Sequence, residues 1–214
     1  MAKLYFYYSA MNAGKTTNLL QASYNYNERG MQVLLFTPEL DDRIQRGAIC
    51  SRIGLKKEAI GFHSHFSFTA YVTQQKAKQE NLRCLLIDEA QFLTKAQVAQ
   101  LAKIATECNI AVLCYGLRSD FVGEPFEGSQ YLLAWAHEII ECKTICRCSR
   151  KATMNMRIDA QGQPLSTGSQ VHIGGNESYE SVCMHCFQEQ LDVFTLYAHP
   201  TKEDKHCDSR SLIP

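Results

Sequence analysis

The stretch that most constrains this chain is residues 5–17, YFYYSAMNAGKTT. It combines an apolar run of strand length, a short loop ending in Gly14-Lys15-Thr16, and the start of a helix. Such a loop binds phosphate because backbone N–H groups converge at a helix N-terminus, while the lysine adds positive charge and the hydroxyl can bind Mg²⁺. Ser9 replaces the first glycine of the pattern G-x-x-x-x-G-K-[ST], which is acceptable if its backbone φ is ordinary. The stretch therefore predicts a phosphate-binding loop with Thr16 as a magnesium ligand.

A second motif, CLLIDEAQF at residues 84–92, supplies the acidic partner of that loop. Asp88 at the strand end is expected to bind Mg²⁺ opposite Thr16. Glu89 is then free to act as a general base on the oxygen that attacks the γ-phosphate. The letters DEAQ also occur in helicases, but a helicase needs two such domains and a basic track. With 22 Lys+Arg against 22 Asp+Glu, the chain has no net charge, and the two motifs predict binding of ATP or GTP instead.

The first two thirds of the chain alternate between strand-like and helix-like patterns. Nearly continuous apolar runs are typical of strands buried on both faces of a parallel sheet, and they occur at residues 3–8, 32–37, 83–88 and 110–116. Helical patterns occur at residues 16–30, 94–108 and 128–142. The last of these has Leu132, Trp135, Ala136 and Ile139 at helical spacing. We predict an α/β fold, a parallel sheet with flanking helices and ligands at the carboxyl ends of its strands.

From about residue 144 the sequence becomes rich in Gly, Ser and turn residues, and two close pairs of cysteines bracket it. Cys146 and Cys148 form the first pair, and Cys183 and Cys186 form the second. Four thiolates in two pairs fit a closed, structural Zn²⁺ site. His185 is a competing ligand, so the fourth ligand stays open between it and Cys186.

These patterns divide the chain into three predicted parts. Residues 1–143 form a nucleotide-binding α/β domain, residues 144–195 a small zinc-binding β-rich domain, and residues 196–214 a disordered tail. The chain shows no signal peptide and no apolar run long enough for a transmembrane helix. We therefore expect a soluble, cytoplasmic protein without a membrane partner. The zero net charge also argues against nucleic acid as a partner.

Taken together, the motifs resemble those of the thymidine kinase family over residues 3 to about 190. They are SAMNAGKTT, TPELDDR, IDEAQF, CYGLRSDFVGEPFEGS, CRC and GGNESYESVCMHC. The resemblance implies a recombinase-like phosphate-loop domain with a zinc-bound lasso, roughly residues 165–182. It also implies transfer of the ATP γ-phosphate to the 5′-hydroxyl of thymidine, with Mg²⁺ and a structural Zn²⁺. A homotetramer inhibited by dTTP is expected on the same ground.

The resemblance also implies roles for individual residues. Glu89 matches the family's catalytic base. The lasso would bind the thymine ring mostly through backbone groups. The residues expected to bind ATP are Ser9, Ala10, Met11, Asn12, Ala13, Gly14, Lys15, Thr16, Asp88, Glu89, Ala90 and Gln91. Those expected near the nucleoside are Met11, Asp41, Arg43, Phe92, Leu117, Phe121, Phe126 and Tyr179.

Two alternatives stay open at this point. In the first, the chain is an ATPase in which Glu89 activates water. In the second, it is a non-enzymatic zinc ribbon that binds nucleic acid through the basic residues of CRCSRK, residues 146–151. Such a small cluster is more often a solvated face than a binding patch.

Overall fold

A computed structural model describes residues 1–39, 47–170 and 178–190. A six-stranded sheet with the order β5-β2-β6-β7-β1-β8 forms its centre, and each neighbouring pair in it is parallel. The strands of the sheet and of a short hairpin inserted before its edge strand are β1 (Leu4–Ser9), β2 (Gln32–Pro38), β3 (Ala48–Cys50), β4 (Lys56–Glu58), β5 (Ile60–Phe62), β6 (Leu82–Ile87), β7 (Ala111–Leu117) and β8 (Glu138–Glu141). The four strands predicted from apolar runs are confirmed as β1, β2, β6 and β7.

Among the described residues, four helices flank the sheet, and two of them match the predicted helices closely. Their bounds are α1 (Lys15–Glu28), α2 (Phe68–Lys78), α3 (Lys95–Glu107) and α4 (Glu127–Trp135). Thr94 is the N-cap of helix α3: its side chain accepts from the Gln97 N–H while the Gln97 side chain accepts from the Thr94 N–H. This reciprocal capping box satisfies two of the N–H groups that a helix start leaves unpaired. Helix α1 ends just before Gly30, which has the positive φ of 68° typical of a glycine after a helix.

The prediction of one helix over residues 128–142 is wrong beyond Trp135. The chain becomes extended at Ala136, and residues 138–141 form β8 beside β1. The reason is tertiary: β1 would otherwise be an edge strand, and β8 supplies the partners for its backbone groups. Of the four residues at helical spacing, Leu132 is fully buried, whereas Trp135 and Ile139 are 38% and 47% exposed.

The core lies in two layers, one on each face of the sheet, and β1 shows how the strands feed both. Leu4 and Phe6 pack into one layer, while Tyr5 and Tyr7 pack against the other, as the two-residue period of a strand requires. Helices α2, α3 and α4 cover the first layer, and α1 covers the second. Because neighbouring strands of the sheet are parallel, the carboxyl ends of β1 and β6 lie at the same edge of the sheet, with the end of β7 between them.

Beyond the sheet lies a small β-rich part with its own apolar cluster. Its elements are β9 (Thr144–Ile145), β10 (Lys151–Ala152), β11 (Met154–Arg157), β12 (Tyr179–Val182) and α5 (Met184–Gln190). Strands β9 and β10 pair antiparallel, as do β11 and β12. The predicted boundary at residue 195 and the tail at 196–214 lie outside the described residues, and the division at residue 144 stays a prediction. Within the described ranges, the helices are too short or too polar to cross a membrane.

Candidate active site

The phosphate-binding loop runs from the end of β1 to the start of α1. Gly14 caps α1 with φ 72° and ψ 19°, and Asn12 also has a positive φ of 62°. Left-handed residues alternating with others curve a loop so that its N–H groups can face an anion. Ser9 belongs to β1 and is not among the residues of positive φ. The condition for serine to replace glycine is therefore met.

Lys15 is buried at the base of this loop. Its ammonium donates to the Ser9 hydroxyl at 2.8 Å and to the Ala10 carbonyl at 3.1 Å. Burial lowers the pKa of Lys15, and the nearby carboxylates of Glu89 and Asp88 act in the opposite direction. The Lys15 ammonium is thus bound by neutral oxygen acceptors, with two acidic groups nearby. An anionic phosphate in the loop could become a further partner of this ammonium.

The two carboxylates predicted at the end of β6 lie beside the loop. Asp88 accepts a hydrogen bond from the Thr16 hydroxyl at 3.4 Å through one oxygen and from the Glu89 N–H at 3.1 Å through the other. Burial, followed by the charge of Glu89, raises the pKa of Asp88 to about 7. Thr16 and Asp88 are thus together as predicted. A hydroxyl and a buried carboxylate are oxygen ligands of the kind that Mg²⁺ prefers, so the donor set fits the ion.

Glu89 has a backbone conformation that few non-glycine residues adopt. It is left-handed, with φ 47° and ψ 44°, at the start of a 3₁₀ turn over Ala90–Phe92. Such a conformation costs about 1–3 kcal/mol and persists where the surrounding structure enforces it, often at functional sites. The side-chain amide of Gln91 donates to the Glu89 carboxylate at 2.5 Å and accepts from the Leu117 N–H at 3.0 Å. Gln91 therefore fixes Glu89 to the end of β7.

The aromatic residues predicted to line a nucleoside pocket lie in two groups, and their contact with a nucleoside stays a prediction. Phe92 and Phe126 meet edge to face, with ring centroids 5.8 Å apart. Phe121 is buried, and the Arg157 guanidinium lies 5.4 Å from the centre of its ring. Tyr179 pairs with Arg157 across β11 and β12, which brings it to this second group.

Other predicted residues are placed less completely. Asp41 and Arg43 lie outside the described residues, and the lasso is described only up to residue 170 and from residue 178. Ala90 is fully buried, and the Gln91 amide is already occupied by protein partners. Contact between these two residues and ATP stays a prediction.

Sequence reasoning missed the polar residues that contact the backbone of Met11 in the phosphate-binding loop. Asn155 and Ser181, on β11 and β12, both hydrogen-bond to the backbone of Met11. Asn155 is 3% exposed and stands between the buried Met154 and Met156. The only sequence signal for the role of Asn155 was its position between two methionines, and that position does not indicate which residue it contacts.

The four cysteines converge into one cluster. The sulfur atoms of Cys146, Cys148, Cys183 and Cys186 all lie within 4.8 Å of one another, and Cys148 and Cys183 are 3.5 Å apart. A ZnS₄ tetrahedron with bonds of about 2.3 Å has sulfur atoms about 3.8 Å apart, so the cluster fits zinc. The backbone N–H of Cys186 lowers the pKa of the Cys183 thiol to about 6, whereas the hydrogen bond with Cys148 raises the pKa of Cys186 to about 12.

His185, the competing fourth ligand, lies on the solvent side of α5. It is exposed and contacts Glu189 at 3.2 Å. Cys186 is the group whose sulfur lies with those of the other three cysteines, which favours it over His185, and the choice of fourth ligand stays a prediction.

Comparison with known proteins agrees with the motifs. A family model described as Thymidine kinase matches residues 2–187. A thymidine kinase of Legionella pneumophila (strain Lens) is 61% identical over 183 residues, 86% of this chain and 88% of the relative. One from Coxiella burnetii is 55% identical over 188 residues, covering 88% and 96% of the two chains. One from Shigella dysenteriae serotype 1 is 53% identical over 198 residues, covering 92% and 96%.

Proposed function

Because this chain belongs to the thymidine kinase family, we propose that it transfers the γ-phosphate of ATP to the 5′-hydroxyl of thymidine and forms dTMP. The observation that carries the residue assignment is the position of Glu89, strained and hydrogen-bonded by Gln91, next to Asp88 and the phosphate-binding loop. A base fixed beside a phosphate site, at the edge where an apolar pocket begins, suits an organic hydroxyl as the acceptor.

In this mechanism the loop of residues 9–16 binds the triphosphate and Lys15 neutralises part of its charge. Thr16 and Asp88 would hold Mg²⁺, which neutralises charge on the phosphate oxygens. Glu89 accepts the proton of the 5′-hydroxyl while the bond between that oxygen and the γ-phosphorus forms. The bond between the γ-phosphorus and the bridging oxygen breaks, and ADP leaves with the electron pair.

The nucleoside pocket supplies the selectivity. Phe92, Phe126, Leu117 and the side chain of Met11 would form its apolar wall, with Phe121 and Tyr179 on the side of the β-rich part. Backbone groups of the lasso would pair with the thymine N3–H and its two carbonyl groups. A base that lacks the donor leaves buried groups unpaired, which can discriminate by orders of magnitude, whereas the 5-methyl group contributes about 1–3 kcal/mol. Asp41 and Arg43 are proposed to lie near the phosphates and the base.

The test is a coupled assay of ATP consumption with Mg²⁺ and, in parallel, thymidine, deoxycytidine, deoxyguanosine or no nucleoside. We expect turnover with thymidine alone and a loss of about 10²–10⁴-fold in kcat for Glu89→Gln. Glu127→Gln is the matched control, since its carboxylate accepts from the Lys95 N–H at the exposed start of α4. Equal ATP consumption with every nucleoside and with none would instead show an ATPase in which Glu89 activates water.

The nucleic-acid alternative is weakened by the partners of the basic cluster. Arg147 lies 3.3 Å from Glu180, and Lys151 lies 2.9 Å from Glu141. Two of the three cations of CRCSRK are therefore paired with carboxylates of the same chain. Salt-dependent retention of a single strand would be the result that revives this alternative.

We further propose, from the resemblance to the family, a homotetramer that acts in the cytoplasm. Light scattering coupled to size exclusion measures the assembly directly. A mass of one or two chains at micromolar concentration would contradict the tetramer.

A further inference from the structure

Two side chains of the β-rich part contact one residue of the phosphate-binding loop. The Asn155 side-chain oxygen accepts from the Met11 N–H at 2.7 Å, and the Ser181 hydroxyl donates to the Met11 carbonyl at 2.6 Å. Asn155 and Ser181 lie directly opposite each other in the register of β11 and β12. Side chains at paired positions point to the same face of a sheet, so both reach the same loop residue.

The direction of these bonds determines how the neighbouring peptide groups point. A trans peptide is planar, and its N–H and C=O point to opposite sides. The Met11 N–H points to Asn155, and the Ala10 carbonyl of the same peptide points the other way, where it accepts from Lys15 at 3.1 Å and from the Ser9 hydroxyl at 2.6 Å. By the same geometry, the Met11 carbonyl points to Ser181, so the Asn12 N–H points away from the β-rich part.

We propose that Asn155 and Ser181 are positioning residues for the triphosphate. They orient the two peptide groups on either side of Met11. This orientation directs the Asn12 N–H at the phosphates and the Ala10 carbonyl at Lys15. In this arrangement the Met11 N–H is not a phosphate donor, because Asn155 already accepts from it. The inference rests on the proposed function of the loop, since it assumes that the loop binds the phosphates of ATP.

The two residues are themselves firmly placed, as a positioning role requires. The second arm of the Asn155 amide donates to the Ser119 carbonyl at 3.1 Å, beyond the end of β7, which fixes the orientation of the amide. Ser181 is 8% exposed and lies two residues before Cys183 of the zinc cluster. A third contact reaches the loop from β9, where the Thr144 hydroxyl donates to the Asn12 carbonyl at 3.4 Å.

The test measures ADP binding by calorimetry in the absence of thymidine. For Ser181→Ala we expect binding about 2- to 12-fold weaker, the range of one net hydrogen bond. Ser181→Thr keeps a hydroxyl and retains affinity. Ser181→Val has the shape of threonine but lacks the hydroxyl, so it does not retain affinity. Glu180→Ala is the control on the same strand, because its side chain points to the opposite face and contacts the exposed Arg147. Zinc content and thymidine affinity are measured on every variant; zinc content stays at the wild-type value, and thymidine affinity falls by less than ADP affinity.

Asn155→Leu gives a second, independent reading because it removes the acceptor of the Met11 N–H at similar volume. It should raise the KM for ATP and leave the KM for thymidine within about twofold, and this variant decides the matter if Ser181→Ala does not fold. Wild-type ADP affinity in the variants, or an equal loss of ADP and thymidine affinity, would overturn the proposal. Failure of the proposed function would give a different result: the wild-type enzyme would consume no ATP with thymidine. The ADP affinities of the variants and the wild type could still be compared in that case.

Discussion

Gln91 offers a sharp test of how the chain holds its proposed base. The residue is 2% exposed, and its amide joins the Glu89 carboxylate to the Leu117 N–H. Its side chain lies close to Gly116, where an added Cβ would be 2.9 Å from the Gln91 side-chain oxygen. Replacing Gln91 with Leu keeps much of the volume and removes both hydrogen bonds.

Two separate losses follow from this change. The partly buried Leu117 N–H loses its acceptor, which costs about 1 kcal/mol of unfolding free energy. Glu89 loses a hydrogen bond to its charged form, which typically contributes about 1.5–3 kcal/mol. If that interaction also fixes the carboxylate in its reactive orientation, kcat falls by about 10- to 150-fold, since each 1.4 kcal/mol corresponds to a factor of ten.

The assay combines urea unfolding with steady-state kinetics, both at a temperature where all variants are folded. The matched control is Gln97→Leu, since Gln97 is 1% exposed and its amide donates to the His63 and Phe66 carbonyls. Gln97 caps α3 far from the reacting groups, so this variant should lose comparable stability and keep its kcat. The two variants thereby separate loss of stability from loss of base positioning.

Two results would refute the reasoning. One is a Gln91→Leu enzyme with unchanged kcat, which would show that Glu89 needs no such support. The other is an equal fall in kcat for both variants, which would assign the effect to stability in general.

Three further predictions follow from the packing and the metal cluster. Gly128→Ala should lower the free energy of unfolding in urea by about 1–3 kcal/mol, because the new Cβ would lie 2.6 Å from the Ala90 carbonyl oxygen and 2.7 Å from that of Leu93. The control is Gln130→Ala at an exposed position of the same helix, which should change stability by less than about 0.5 kcal/mol. Cys186→Ser should lower zinc content measured by metal analysis, while His185→Ala should leave it at the wild-type value. Thr16→Val should raise the Mg²⁺ concentration needed for half-maximal rate, because it removes one of the two proposed ligands, and an unchanged magnesium requirement would contradict that role.

The parts of the fold that sequence reasoning predicted correctly are encoded over short distances. Strand β6 is recognisable from its apolar run, and helix α3 from the helical pattern of residues 94–108, because strand burial and helix capping act within a few residues. The end of α4 was predicted wrongly for the opposite reason. Residues 138–141 become strand because β1 needs a partner at the sheet edge, and that partner is more than 130 positions away in the chain, as the hydrogen bond from His137 to Leu4 shows.

The site divides in the same way. Gly14, Lys15, Thr16 and the Asp88-Glu89 pair each belong to a continuous motif, so the sequence alone was enough to predict a nucleotide site and, through its cysteine spacing, the four-cysteine cluster that fits zinc. Only the tertiary structure decided which groups support them. The contacts of Asn155 and Ser181 with Met11 span 144 and 170 positions, and they exist because the paired strands β11 and β12 lie against the phosphate-binding loop. Local patterns fix backbone conformation, whereas hydrogen bonds between distant segments depend on how the layers pack, which no single stretch of sequence encodes.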